Sequence, residues 1–304
     1  MVKSRLLLPV IAVFSVMIIF SSCKKGNIDV QAIDAGKGTD YTEQIDSSEP
    51  SVPDSTVHTS TVPSAIANYE YSWTGSDNIP PIVIIIDDFG NTNDRLLEDF
   101  GKLPSEICFA ILPDLPHTKD AARVATENSH DIVIHVPMKA IGNAGSPGKR
   151  YIKVGMDKAE IKDMIASFKS QIPMAIGANN HMGSEVTQDA ATMNNILESL
   201  NSSNLFFVDS YTIGTSVGFK LAKSKGYSSG KRDIFLDVPD NSNATLASKI
   251  EGLAKYKGRK EPVFIISHCH NRQKLEALQN FITQVQSMGI RIISLSDAIN
   301  DYPA

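Results

Sequence analysis

The residues of this chain that can do chemistry gather where apolar runs end. Asp87-Asp88 closes an Ile/Val run at 82–86, and His135 falls within the run at 132–136. Asn179-Asn180-His181 follows 174–178, Asp209 follows 205–208, Asp237 follows 234–236, and His268 comes just after 263–266. Solvated loops more often supply Gly, Ser or Asn at such places. One Asp and two His brought from neighbouring segments form the mixed O/N donor set of a catalytic zinc site with a position open for water. Two adjacent carboxylates then divide the work, one binding metal and the other staying free as a base. Taken singly, each residue has a plainer reading. An acidic pair after a strand also serves as a helix N-cap. Asp237, with Asp233, reads as a cap or ion-pair partner near Arg232, and His270 reads as surface. His130 reads as structural, and His58 and His117 as solvated.

Such residues need a frame that brings distant segments to one place. From residue 82 the chain repeats a β-branched run, a turn and an amphipathic stretch; the runs named above are joined by others at 107–112 and 290–295. Near-continuous Ile/Val runs suit strands of a parallel sheet covered on both faces. Helical patterns lie between them at 157–170, 194–200, 246–255 and 275–288, with Gly289 placed as a helix stop. This alternation predicts an α/β fold. About eight strands over some 225 residues fit a barrel better than a short open sheet. In parallel α/β folds the chemistry collects at the carboxyl ends of strands, where these polar residues fall. A doubly wound sheet is the alternative, but the turn after the first strand, Asp-Asp-Phe-Gly, has no glycine-rich phosphate loop. No nucleotide cofactor is expected.

Composition narrows the partners. The 304 residues hold 29 Lys+Arg against 34 Asp+Glu, a net charge of −5, which argues against nucleic acid because phosphate contacts need a basic surface. Three cysteines cannot form a dense disulfide framework, so a hydrophobic core must hold the fold. Residues 1–22 carry Lys3 and Arg5, an apolar run at 6–20, then Ser21-Ser22 before Cys23. That is a signal peptide, too short for a comfortable membrane span. Its end resembles the lipobox of bacterial lipoproteins, although Phe20 stands where Leu is usual. The resemblance implies diacylation of Cys23 and export to the bacterial cell envelope, with attachment to membrane by lipid. An uncleaved signal anchor is the alternative. Residues 23–79 are acidic, Ser/Thr-rich and poor in large aliphatics, and read as a disordered tether leading to a domain at 80–304. With +2 on the signal and −6 on the tether, the domain is left near −1. Tyr69, Tyr71 and Trp73 break the polar pattern and either strap onto the domain or stay in solvent. Cys108 and Cys269 are expected as buried free thiols.

The motifs at 85–90 (Ile-Ile-Asp-Asp-Phe-Gly), 130–138 (His-Asp-Ile-Val-Ile-His-Val-Pro-Met), 179–184 (Asn-Asn-His-Met-Gly-Ser), 206–210 (Phe-Phe-Val-Asp-Ser), 232–237 (Arg-Asp-Ile-Phe-Leu-Asp) and 266–268 (Ile-Ser-His) resemble, in that order, the divergent polysaccharide deacetylase family. The resemblance covers essentially all of 80–304. It implies an irregular (β/α) barrel of about seven strands, of glycoside hydrolase/deacetylase type. It also implies a metal-dependent hydrolase that removes acetyl groups from a polysaccharide or glycan, with a divalent metal, Zn2+, as cofactor. By the same resemblance Asp88, His135 and His181 are the metal ligands and Asp87 is the general base. His268 is the general acid, and Asp209 orients a catalytic or ligating group. Two departures stand out. Lys139 occupies the place of a second histidine in the related esterases, and an ammonium is no ligand and repels a dication. Either Lys139 points away and His181 completes the site, or the metal site is weakened. The esterases' Arg-x-Pro segment is missing too. A catalytically inactive barrel that binds glycan or a partner is therefore the alternative, Lys139 holding an anionic group. A metal-dependent phosphoesterase fits the carboxylates but lacks a basic phosphate clamp.

Overall fold

Seven short strands pair in sequence order, all parallel, and close on themselves as a barrel. They are β1 (Ile82–Phe89), β2 (Cys108–Ile111), β3 (Ile132–Met138), β4 (Gly177–Met182), β5 (Phe206–Asp209), β6 (Ser229–Phe235) and β7 (Val263–His268). The computed structural model describes Ile66, residues 69–73 and residues 78–302. Closure is made by β7 against β1, in register from Ile82↔Val263 to Asp87↔His268.

Helices α1 (Arg95–Gly101), α2 (Thr118–Glu127), α3 (Lys158–Gln171), α4 (Ala190–Ser202), α5 (Gly218–Ser224), α6 (Asn243–Glu251) and α7 (Arg272–Ser287) follow the strands in turn. Short polar residues start most of them: Asp94, Asp189, Ser242 and Asn271 accept from first-turn N–H groups, and Asp157 forms a capping box with Glu160. Gly289 stops α7 in the left-handed region at φ 77°.

Strand alternation separates two cores. Ile82, Ile84 and Ile86 face the helices, in one cluster with Phe100, Phe168 and Phe281. Val83 and Ile85 fill the barrel interior with Cys108, Ala110, Val133, Val208, Phe264 and Ile266. Both faces of β1 are dry, which is why its sequence is an unbroken Ile/Val run.

The apolar run at 290–295 is not an eighth strand. Ile292 makes one isolated bridge to Ile82 and no more, because from Ile85 on that edge of β1 is occupied by β2, and the other edge is occupied by β7. The chain then enters α8 (Leu295–Asp301), whose Leu295 and Ala298 join the interior cluster from below. Asp131, just before β3, accepts from the Ser296 N–H at 2.7 Å and ties α8 across the bottom.

The aromatic segment ahead of the domain is a strap. Trp73 is 7% exposed, and its indole N–H donates to the Glu251 carbonyl at 3.1 Å, while Ile66 is fully buried. The packed body therefore includes residues N-terminal to the boundary expected at 80. The expected signal peptide at 1–22, the lipidated Cys23, His58 and the tether up to residue 65 lie outside the described residues. Among the described residues no helix is long and apolar enough to cross a membrane. Cys108 and Cys269 are both free, Cys108 buried within the barrel and Cys269 partly exposed.

Candidate active site

The barrel mouth is built by residues of one strand face and by one break in the alternation. In β1, Val83, Ile85 and Asp87 share the inward face. Asp88 should then point outward with Ile86. It does not, because the β1–β2 register shifts between Ile86 and Phe89 and Asp88 adopts φ 75°. Asp tolerates this left-handed geometry better than most residues, and strained backbone of this kind concentrates at functional sites. Both carboxylates thus reach the interior, 3% and 4% exposed. Strand β3 brings His135, and β4 brings Asn179 and His181 from its matching face. Met182 (φ 55°) and Gly183 (φ 89°) turn the chain immediately afterwards, where a Cβ on Gly183 would meet the Met138 Cβ at 3.0 Å.

Three atoms converge here. Asp88 Oδ1 lies 3.2 Å from His135 Nε2 and 3.1 Å from His181 Nδ1, and the two nitrogens are 3.1 Å apart. Asp88 Oδ1 is buried with no donor aligned on it. Asn179 explains the histidine's state: its Oδ1 faces His135 Nδ1 at 2.7 Å, and its Nδ2 donates to Asp87 Oδ1 at 2.8 Å. An acceptor at Nδ1 places the ring proton there and leaves the Nε2 lone pair facing Asp88 and His181. Ligand atoms about 2.0–2.1 Å from a tetrahedral zinc lie about 3.3 Å from one another, close to these edges. The donor set therefore fits a divalent ion, and Asp88, His135 and His181 are a candidate cluster for one.

A second chain of contacts runs around the same carboxylates. His270 Nε2 lies 2.7 Å from Asp88 Oδ2, and Lys274 Nζ lies 3.2 Å from His270 Nδ1 and 2.9 Å from Asp237 Oδ2. Asp237 in turn holds His268, both carboxylate oxygens lying 3.0 Å from its Nδ1. Burial raises the Asp87 carboxyl above its ordinary range, against the pull of His135 and His268. Burial pushes Asp88 the same way, but His181, His135 and His270 outweigh it and hold that carboxyl well below the usual range. For His268, burial disfavours the charge, yet Asp237 carries the ring up to about 9. The two carboxylates are thus driven in opposite directions, the pattern that separates a proton acceptor from a permanently ionised ligand.

Of the expected residues, the fold brings Asp87, Asp88, His135, His181 and His268 together. Asp209 is elsewhere. It sits one residue past the inward Val208, so its carboxylate turns to the helix layer and accepts from Tyr211 N (2.9 Å), Phe219 N (3.1 Å) and the Ser216 hydroxyl (2.7 Å). It orders the start of α5 and touches no group of the site. Lys139 stays out as well: its backbone bonds Ile152 and Glu185, and no ion pair joins its side chain to either aspartate. His181, one strand over, is the third member of the candidate cluster. His130 is structural, bonded to the Ile107 and Gly101 carbonyls. Asp233 pairs with Arg259, whereas Asp237 and His270, read from sequence as a cap and as surface, belong to the site together with Asn179 and Lys274. The Asn-Asn-His run carried the one sequence signal for Asn179. Arg232 donates to the Ser210 and Tyr211 carbonyls at 2.6 Å each, stacks on Phe235, and is lowered to about 10 by burial.

The sequence matches the family model for divergent polysaccharide deacetylase over residues 84–299. It is 31% identical over 224 residues to the uncharacterized protein YibQ of Escherichia coli (strain K12), covering 72% of this chain and 67% of that protein. It is 35% identical over 189 residues to an uncharacterized protein of Haemophilus influenzae, covering 62% of this chain and 66% of the relative. The chain thus spans about two thirds of these relatives' lengths. Among solved structures, uncharacterized protein ATU2773 from Agrobacterium tumefaciens C58 shares the fold, with a TM-score of 0.65 at 17% identity over 76% of this chain and 93% of that one.

Proposed function

The chain belongs to the divergent polysaccharide deacetylase family, and on that premise we propose that it is a metal-dependent hydrolase removing acetyl groups from an envelope or extracellular polysaccharide. The observation that carries this reading is the buried Asp88, His135 and His181 triangle, with the raised carboxyl of Asp87 beside it and the raised imidazole of His268 on the neighbouring strand β7.

Asp88, His135 and His181 would hold the divalent ion, which supplies a nucleophilic water at neutral pH by lowering its pKa toward about 7 and polarises the acyl oxygen. Asp87 takes the proton of the attacking water. Its Oδ1 is fixed by Asn179, and burial makes it a stronger base than a solvated aspartate. His268 enters the reaction protonated, since Asp237 holds its proton up to about 9, and donates it to the departing amine or alkoxide. Cys23 is the proposed lipid anchor that keeps the enzyme at the cell envelope, within reach of its polymer.

Elemental analysis of the purified chain followed by acetate release from a panel of acetylated glycans tests the reading. One equivalent of zinc, with acetate release lost on chelation, is the expected outcome. Full activity in metal-stripped protein would overturn it. Neither metal nor acetate would favour the glycan-binding alternative.

A further inference from the structure

Helix α7 begins two residues after His270, with Asn271 as its cap; the Asn271 side chain accepts from the Lys274 N–H at 2.9 Å. That cap sets Lys274 in the first helical turn, at the positive end of the helix dipole, where a cation is disfavoured. Local rules broken without a local gain point to a functional demand. The demand is visible in its neighbours. The Lys274 side chain is only 16% exposed, and Nζ lies 2.9 Å from Asp237 Oδ2 and 3.2 Å from His270 Nδ1.

An ammonium has donors and no acceptor. His270 Nδ1 must therefore accept, so the ring carries its N–H on Nε2, and Nε2 lies 2.7 Å from Asp88 Oδ2. With the proton on Nδ1 instead, two acceptors would face each other at that distance and Asp88 would have to turn. Asp88 Oδ2 is thus pinned by a donor, and its Oδ1 is left aimed at His135 and His181. We propose that Lys274 is a positioning residue: it fixes the Nε2–H tautomer of His270 and through that ring holds Asp88 in its ligating orientation. Because Lys274 also bonds Asp237, it joins the ligand side of the site to the His268 side. The proposal rests on the reading of Asp88 as a metal ligand, and its test separates the two.

The test uses the full chain, metal-free, with 15N in its seven histidines. Long-range 15N–1H correlation distinguishes the tautomers, and the His270→Gln protein identifies the His270 signals. Wild-type His270 is expected as Nε2–H. Lys274→Met should mix or invert the tautomer, whereas Lys274→Arg should keep it, since a guanidinium also only donates. Zinc affinity by chelator competition should fall about 10–100-fold in Lys274→Met and recover most of that loss in Lys274→Arg. A wild-type His270 protonated on Nδ1 overturns the proposal, and so does a Lys274→Met protein with unchanged tautomer. A changed tautomer with unchanged zinc affinity overturns the coupling to Asp88. Should Lys274→Met fail to fold, the wild-type tautomer still decides. If the wild type takes up no zinc, the metal reading fails, while the metal-free tautomer still answers for Lys274.

Discussion

The imidazole of His268 is held on three sides of one carboxylate: its Nδ1 lies 3.0 Å from both oxygens of Asp237, and its backbone N–H donates to Asp237 Oδ2 at 3.2 Å. Ring and main chain are thus fixed together. The raised His268 pKa, about 9, makes the protonated ring the form present at neutral pH, and deprotonation above that value removes the acid. The alkaline limb of kcat/KM is expected near pH 9. In Asp237→Asn it should move down by about two pH units, toward the ordinary histidine value of about 6.5. An unmoved limb would show that another group sets it.

The same pair has a stability signature. Because the folded pKa of His268 is raised, its contribution is complete below the unfolded value of about 6.5 and is lost as pH rises through about 9. Asp237, held well below its ordinary range by His268 and Lys274 against the push of burial, contributes above the unfolded value of about 3.9 and loses this as pH falls further. The pair is at full strength between about pH 4 and 6.5. Urea midpoints of wild type and Asp237→Asn across pH should differ most inside that window, and the difference should narrow as pH rises through about 9, leaving the part owed to the Lys274 pair.

Adjacent carboxylates with opposite pKa directions should separate by mutation. Asp88→Ala is expected to abolish zinc binding and turnover together. Asp87→Asn keeps the Asn179 contact within reach and should leave zinc bound while kcat falls about 10²–10⁴-fold, the usual range for loss of a general base. Loss of zinc in both proteins would show that Asp87 is a ligand.

Position 139 gives a sharper contrast. Lys139→Ala should leave zinc affinity unchanged, whereas His181→Ala should remove measurable binding, because the third candidate ligand lies on β4 and not at the end of β3. Isothermal titration of both proteins settles which residue completes the triad.

The strap should be worth stability. Trp73→Ala removes a nearly buried indole and its bond to the Glu251 carbonyl. A loss of about 3 kcal/mol, lowering Tm by roughly 6–12 °C, is expected by scanning calorimetry. A Tm unchanged from wild type would mean that the segment is only draped on the surface.

Much of this was legible in the sequence, and what was not has definite reasons. Asp87, His135, His181 and His268 end or sit in β-branched runs, and a parallel barrel delivers such residues to one rim. Strand ends alone do not say which face a residue takes. Asp209 follows Val208, an inward residue, so simple alternation sends it outward to α5. Asp88 has the outward parity too, and only its positive φ, which no spacing reports, turns it in. Asp237, His270 and Lys274 lie beyond their strands, where capping and solvent exposure are the ordinary uses of such side chains. The β6–α6 loop, the β7–α7 loop and the first turn of α7 had to come together before these side chains met. The run at 290–295 read as a strand because burial under a barrel selects the same residues as burial within one.

Helix α8 lies across the bottom of the barrel, with Leu295 and Ala298 packed into its interior. The barrel is therefore a cup and not a pipe. A polymer cannot be drawn through it, so the glycan of the proposed reaction would lie across the rim and present one substituent at a time. In that reaction the released acyl group would leave by the opening through which the substrate entered. Clearance of a small anion past the chain still resting on the rim becomes a step that can limit turnover, and added acetate should inhibit by competing for that same opening.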